Sequence, residues 1–163
     1  MENIKFKVGN MFDSTDEYIG HGVNVDGIMG AGVAAVVRKL YPAVNTVYRD
    51  YCFNEVDPLL PGESLVVLVE RNSKKTLYIA NIASQDRPGA NARLPWLLDG
   101  MEGTFAHMRE TGNTRLTIPL IGCGIGGLDW ESEVKPALIS LMEKNRDITL
   151  TIYSLDPMDG FDE

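Results

Sequence analysis

The chain has 163 residues, 44% of them hydrophobic, and a formal net charge of −8 at neutral pH. That length supports one well-buried core and is too short for two ordinary domains, and the acidic balance argues against nonspecific nucleic-acid binding, which needs Lys and Arg to neutralise phosphates. No run reaches the roughly 18 uninterrupted apolar residues of a membrane helix, and Met1-Glu2-Asn3-Ile4-Lys5 lacks the apolar centre of a signal peptide, so a cytoplasmic protein with no membrane partner is expected.

In chain order, Ile4 to Val8 alternates apolar and polar residues, the period of a half-buried strand, and Gly9-Asn10 breaks it. Tyr18 to Val25 is a second strand-like run. From Val33 the residues Val33, Val36, Val37 and Leu40 share one helix face, Tyr41-Pro42 interrupts, and Pro42 to Phe53 forms another helix with Pro42 in its first turn. Ser64 to Glu70 and Thr76 to Ala83 are predicted as neighbouring strands joined by the polar turn Arg71-Asn72-Ser73-Lys74-Lys75.

Ser84 to Arg93 is a polar loop. The helix beyond it places Leu94, Leu97, Leu98, Met101, Phe105 and Met108 on one core-facing stripe, with His107 on the exposed side. Leu116 to Ile121 is a buried strand, Asp129 caps a helix running to Lys144, and Ile148 to Leu155 is the last strand. The acidic, Pro- and Gly-broken segment 156–163 is expected to be a short frayed tail after a single domain spanning 1–155. Strands alternating with helices, with one antiparallel pair, predict an α/β fold: a mixed central sheet in a three-layer α/β/α sandwich.

Two glycine-rich turns stand out, Gly30-Ala31-Gly32-Val33-Ala34 and Gly122-Cys123-Gly124-Ile125-Gly126-Gly127, each between a strand-like and a helix-like run. Glycine removes the Cβ and lets consecutive backbone N–H groups converge on phosphate oxygens at a helix N-terminus. One such turn is as well explained by tight helix–strand packing; two on the C-terminal side of strands favour an anion-binding crevice at the sheet's switch point. A dinucleotide-binding Gly-x-Gly-x-x-Gly after the first strand is absent.

Cys52 and Cys123 are the only cysteines, and with two histidines they offer no CxxC pair, so no metal centre and no other cofactor is expected. Cys52 reads as a small hydrophobe on a helix face. Cys123, inside the second turn, has the position of a thiolate nucleophile but no histidine paired with it in sequence.

The segments Gly9-Asn10-Met11, His21-Gly22-Val23-Asn24, Met29-Gly30-Ala31-Gly32-Val33-Ala34 and Ile118-Pro119-Leu120-Ile121-Gly122-Cys123-Gly124-Ile125-Gly126-Gly127-Leu128-Asp129-Trp130 resemble the macrodomain family, over about Ile4 to Leu155. The nearest branch in pattern holds ADP-ribosyl glycohydrolases and ADP-ribose-1''-phosphate phosphatases. The resemblance implies ADP-ribose or a derivative as partner. It places Asn10 at the adenine amine, Gly30 to Val33 at the proximal phosphate and distal ribose, and Asn24 at the distal ribose hydroxyls, with Met11 and Met29 as further ligand-binding residues. It also places Pro119 and Gly122 to Leu128 around the diphosphate, and Ser84 and Gln85 at the variable rim. Local alternatives stand beside these roles: Asn10 as an Asx-turn residue, Asn24 as a strand-end residue bonding its own backbone, and Gln85 and Arg87 as solvated loop residues.

For chemistry the resemblance divides. The glycohydrolase branch uses a Lys just after the strand matching Thr76 to Ala83 and an Asp in the second glycine loop; here Ser84-Gln85 and Gly126 occupy those places, and Lys74 and Lys75 lie at the strand's other end. The phosphatase-like branch carries a histidine before the first loop, matched by His21, which reads equally well as a general acid or base and as a strand histidine bonded into the fold. Asp129 can position water or cap its helix, and Asp26 is a further acid near the first loop, with a turn role as its alternative. Two functions follow as expectations: a hydrolase acting on an ADP-ribose derivative, or a module that binds ADP-ribose without turning it over.

Overall fold

The computed structural model describes residues 2–71 and 75–163, and so the expected 71–75 turn falls partly outside the described residues. Six strands form one sheet: β1 (Ile4–Val8), β2 (Tyr18–Val23), β3 (Ser64–Arg71), β4 (Lys75–Ala83), β5 (Arg115–Ile118) and β6 (Thr149–Ser154). Their order is β1-β6-β5-β2-β4-β3, with β3 antiparallel to β4 and every other pair parallel. The mixed sheet and its antiparallel pair are those the sequence pattern predicts.

Four helices cover it: α1 (Gly32–Leu40), α2 (Pro42–Cys52), α3 (Leu94–Thr111) and α4 (Lys135–Glu143). Two apolar clusters lie on opposite faces of the sheet. One is built by Val37 of α1, Val44 and Tyr48 of α2, and Ile19, Leu77 and Ile79 of the strands. The other is built by Leu97, Met101, Phe105 and Met108 of α3 and Leu138 and Met142 of α4 against Tyr18, Ile82, Leu116 and Ile152. This is the α/β/α sandwich. Prolines open α2, α3 and α4, where a missing N–H costs nothing, and α3 stops at Gly112 in the left-handed region (φ +75°).

Several boundaries and surfaces differ from the sequence reading, each for a local reason. Strand β5 ends at Ile118 because Pro119 has no N–H to continue the ladder; Ile121 N–H turns back onto Pro119 O at 2.8 Å. His107 is half-buried rather than fully solvated: its Nδ1 is 2.7 Å from the buried Tyr18 hydroxyl. The segment 156–163 is not frayed. Val8 N–H donates to Asp162 O (2.7 Å), Asp162 N–H donates to Phe6 O (3.0 Å), and the Phe161 ring packs edge-on to Phe6.

This topology puts β2 between β4 and β5, so the loops leaving the C-terminal ends of these three strands converge. They are residues 24–31, 84–93 and 119–129. The crossover after β2 leaves for one face, through α1 and α2, and those after β4 and β5 leave for the other, through α3 and α4, the arrangement that opens a crevice in such sheets.

Candidate functional site

The three loops enclose a cleft of about 490 Å³, lined by both glycine turns, by Gly22, Val23 and Asn24 at the end of β2, and by Ser84, Gln85, Pro88 and Gly89. Its floor is flush because Gly22 has no side chain; a Cβ there would stand 2.8 Å from Ser84 Oγ.

The first turn delivers the chain into α1. Gly32 adopts φ +59°, and the helix has no side-chain cap; Ala35 N–H, 3.3 Å from Ala31 O, begins its bonding pattern. Residues 30–34 all line the cleft, so the donor end of the helix dipole opens into it.

The second turn is wound on itself. Cys123 N–H donates to Leu120 O (3.2 Å), Gly127 N–H to Gly124 O (3.3 Å) and Leu128 N–H to Gly122 O (2.9 Å). The 84–93 loop docks on its back: Ala92 N–H donates to Gly126 O at 3.0 Å, and a Cβ on Gly127 would meet Ala90 Cβ at 2.8 Å. Across the cleft the exposed Ile125 side chain reaches toward the first turn, its Cδ1 3.5 Å from where a Cβ on Gly32 would be.

Of the residues singled out in the sequence, the structure brings Asn24, Gly30, Ala31, Gly32, Val33, Ser84, Gln85, Pro119 and Gly122 to Gly126 together on the wall. Gly127 and Leu128 stand behind it, with their amides turned inward. Met29 is buried beneath the first turn, Met11 lies in the core, and Asn10 Oδ1 accepts from Phe12 N–H (2.9 Å) to start a short 3-10 turn over Met11–Asp13. The sequence reading passed over Gly22, Ile28, Pro88 and Gly89; the glycines carried a signal only in hindsight, as positions where bulk would fill the cleft.

His21 is fully buried and does not line the cleft. Asn81 lies directly opposite it on β4, and because Asn81 Nδ2 donates to Leu65 O (2.9 Å), its Oδ1 is left to accept from His21 Nε2–H at 2.7 Å. Burial pushes the imidazole pKa down to about 4, so the ring is neutral at physiological pH. Asp129 also lies outside the cleft. Its Oδ2 accepts from Ser132 N–H (2.8 Å) and Ser132 Oγ (2.6 Å), bonds that hold its carboxyl below the usual range, while Glu133 accepts from Asp129 N–H (2.6 Å). The pair caps the single π-turn Trp130–Val134 that opens α4.

Cys123 is buried, and the lost hydration of its thiolate pushes the thiol pKa up to about 12, which leaves it a thiol. Among the described residues lining the cleft, no side chain is ionised at neutral pH. An anion held here is met by backbone donors.

Comparison with known proteins places this arrangement. Residues 21–137 match the family model described as "Macro domain". "DNA ADP-ribosyl glycohydrolase" of Mycobacterium tuberculosis is 27% identical over 150 residues, 92% of this chain; the chain spans only 42% of that relative's length. Human "ADP-ribose glycohydrolase OARD1" is 27% identical over 154 residues, covering 93% of this chain and 91% of that protein. The solved macrodomain of Mycobacterium tuberculosis DarG superposes with a TM-score of 0.81 at 26% identity, covering 95% of this chain and 98% of that one.

Proposed function

Because this chain belongs to the Macro domain family, with both glycine loops inside the matched region, we propose that its cleft binds ADP-ribose and that the protein hydrolyses an ADP-ribose derivative. The carrying observation is the convergence of two glycine loops on one cleft whose wall presents backbone donors and no ionised side chain. A diphosphate suits the uncapped end of α1 on one side and the 122–126 turn on the other. The volume lies within the range of small-molecule clefts, about 300–1,000 Å³.

The relatives support a hydrolase by their names, which describe ADP-ribosyl or ADP-ribose glycohydrolases and an ADP-ribose 1''-phosphate phosphatase. The bond broken joins the distal ribose to an attached protein or nucleic-acid group, or to a terminal phosphate. In the absence of a wall carboxylate, Lys or accessible His, water is the nucleophile. Loop amides stabilise the charge that develops, and protons move through water and the substrate's own groups. His21 and Asp129 receive no chemical step, since the first is buried and neutral and the second is committed to its cap.

A second reading, binding without turnover, is favoured by that same lack of ionised wall groups. Titration calorimetry with ADP-ribose is expected to show one site, and its failure on folded protein overturns both readings. Incubation with ADP-ribose-1''-phosphate, ADP-ribosylated DNA and ADP-ribosylated protein then separates them. Product release from any one establishes the hydrolase, and binding with no release from all three establishes the binding module.

A further inference from the structure

Tyr48 of α2 is fully buried and does not line the cleft, yet its hydroxyl reaches the loop that does. The oxygen lies 2.7 Å from Asn24 O and 2.8 Å from Asn24 Oδ1. A phenol has one proton, so it serves these two acceptors in turn. Asn24 in its turn winds the loop: Nδ2 donates to Ile28 O (2.8 Å), and Oδ1 accepts from Asp26 N–H (2.9 Å) and Ile28 N–H (3.4 Å). Every polar atom of the Asn24 side chain is thus engaged internally.

A second contact comes from the same helix end. The Phe53 ring presses on Gly27, where a Cβ would stand 2.7 Å from Cζ and where φ is +78°. Residues 24–28 are therefore held from behind by α2 rather than by the strand that leads into them. We infer that Tyr48 is a positioning residue for the cleft: its hydroxyl sets Asn24, and through Asn24 the wall from Ile28 to Gly32 that receives the anion. Burial raises the phenol pKa above its ordinary value, which keeps it a donor throughout the physiological range. The inference rests on the reading that this cleft binds ADP-ribose.

Tyr18 supplies a matched control. It is equally buried, at the other end of β2, with its hydroxyl 2.7 Å from both His107 Nδ1 and Thr111 Oγ1. Both Tyr48→Phe and Tyr18→Phe delete a buried hydroxyl and lower stability. Only Tyr48→Phe is expected to raise the Kd for ADP-ribose, by about tenfold, the effect of losing one well-placed hydrogen bond. In the ligand-free protein it is also expected to speed amide exchange over residues 26–32, which Tyr18→Phe leaves unchanged.

Equal Kd changes in the two variants, or unchanged exchange over 26–32 in Tyr48→Phe, overturn the inference. Faster exchange with an unchanged Kd overturns it too. If wild-type protein does not bind ADP-ribose, the functional reading falls by itself, and the exchange comparison alone decides whether Tyr48 sets this wall. Should Tyr48→Phe not fold, Asn24→Ala, which removes the side-chain acceptor of that hydroxyl, replaces it in the ligand-free exchange measurement. That variant is expected to speed the amides of residues 26–32, and unchanged exchange there overturns the inference.

Discussion

The two glycine loops face one cleft and are built on opposite plans. The first leaves its helix end uncapped and open to the cleft, and is held in shape from outside by Tyr48 and Phe53. The second holds itself, with the Gly127 and Leu128 amides bonded back into the turn, and the helix that follows is closed by Asp129 and Glu133. Glycine does different work in each. In the first it keeps bulk away from free donors; in the second it lets backbone pass close to backbone. Only residues 122–126 of the second loop face the cleft, so its grip lies upstream of its helix rather than at the helix end.

Substitutions aimed at each plan test that contrast. The largest effect is expected from Gly126→Asp. Its Cβ would stand 2.7 Å from Gly122 O and 3.0 Å from Ala92 Cβ, both in backbone-defined places, so the turn must open and release the 84–93 loop. ADP-ribose affinity should fall by about a thousandfold or more, roughly 4 kcal/mol, by calorimetry. An affinity within tenfold of wild type would show that the second loop does not depend on its own close packing.

Next comes acid sensitivity in the strand that feeds the first loop. The folded pKa of His21, about 4, lies below its ordinary 6.5, so the unfolded chain takes up the proton first as pH falls. This contribution is complete above pH 6.5 and is lost as pH falls toward 4, up to about 3 kcal/mol. Denaturant melts across that window should show the slope, and His21→Gln should flatten it.

Gly32→Val is expected to weaken binding by about five- to thirtyfold, from the roughly 1–2 kcal/mol cost of a left-handed φ for a residue with a Cβ. The nearest side chain to a Cβ there, Ile125 Cδ1 at 3.5 Å, leaves room, so strain rather than collision should dominate, and thermal stability should fall with affinity. The smallest effect belongs to Asp129→Ala. Loss of the cap should lower thermal stability slightly and leave ADP-ribose affinity unchanged. A large loss of affinity there would make the second loop's grip depend on its helix after all.

Much of this molecule was legible in its sequence where the controlling interactions are local. The strand alternation at Ile4 to Val8, the α3 stripe, the Asp129 cap and the glycine turns each depend on residues within a few positions. What escaped was set by partners far along the chain. His21 reads equally as an acid or base and as a strand histidine bonded into the fold until Asn81, sixty positions on, takes its Nε2–H and decides for the second, and His107 reads as solvated until Tyr18 is seen beneath it. Asn24 reads as a site residue or as a strand-end residue bonding its own backbone; the structure shows those backbone bonds, and the engagement of its side chain with Tyr48 is a tertiary fact with no sequence signature. The composition of 156–163 suggested fraying because Pro and Gly mark turns, yet Phe161 was the residue to notice: one aromatic in an acidic segment is enough to dock it.

That docking protects the sheet. Strand β1 is an edge, and an open edge is a template on which another chain can add a strand. Asp162 occupies it, giving one N–H and taking one from β1, while Phe161 covers the apolar margin formed by Phe6 and Trp130. Residues 161 and 162 thus cover part of the edge on which a further strand could otherwise pair. Removing residues 156–163 should uncover this part of the β1 edge, and light scattering should then show larger species than the intact chain forms.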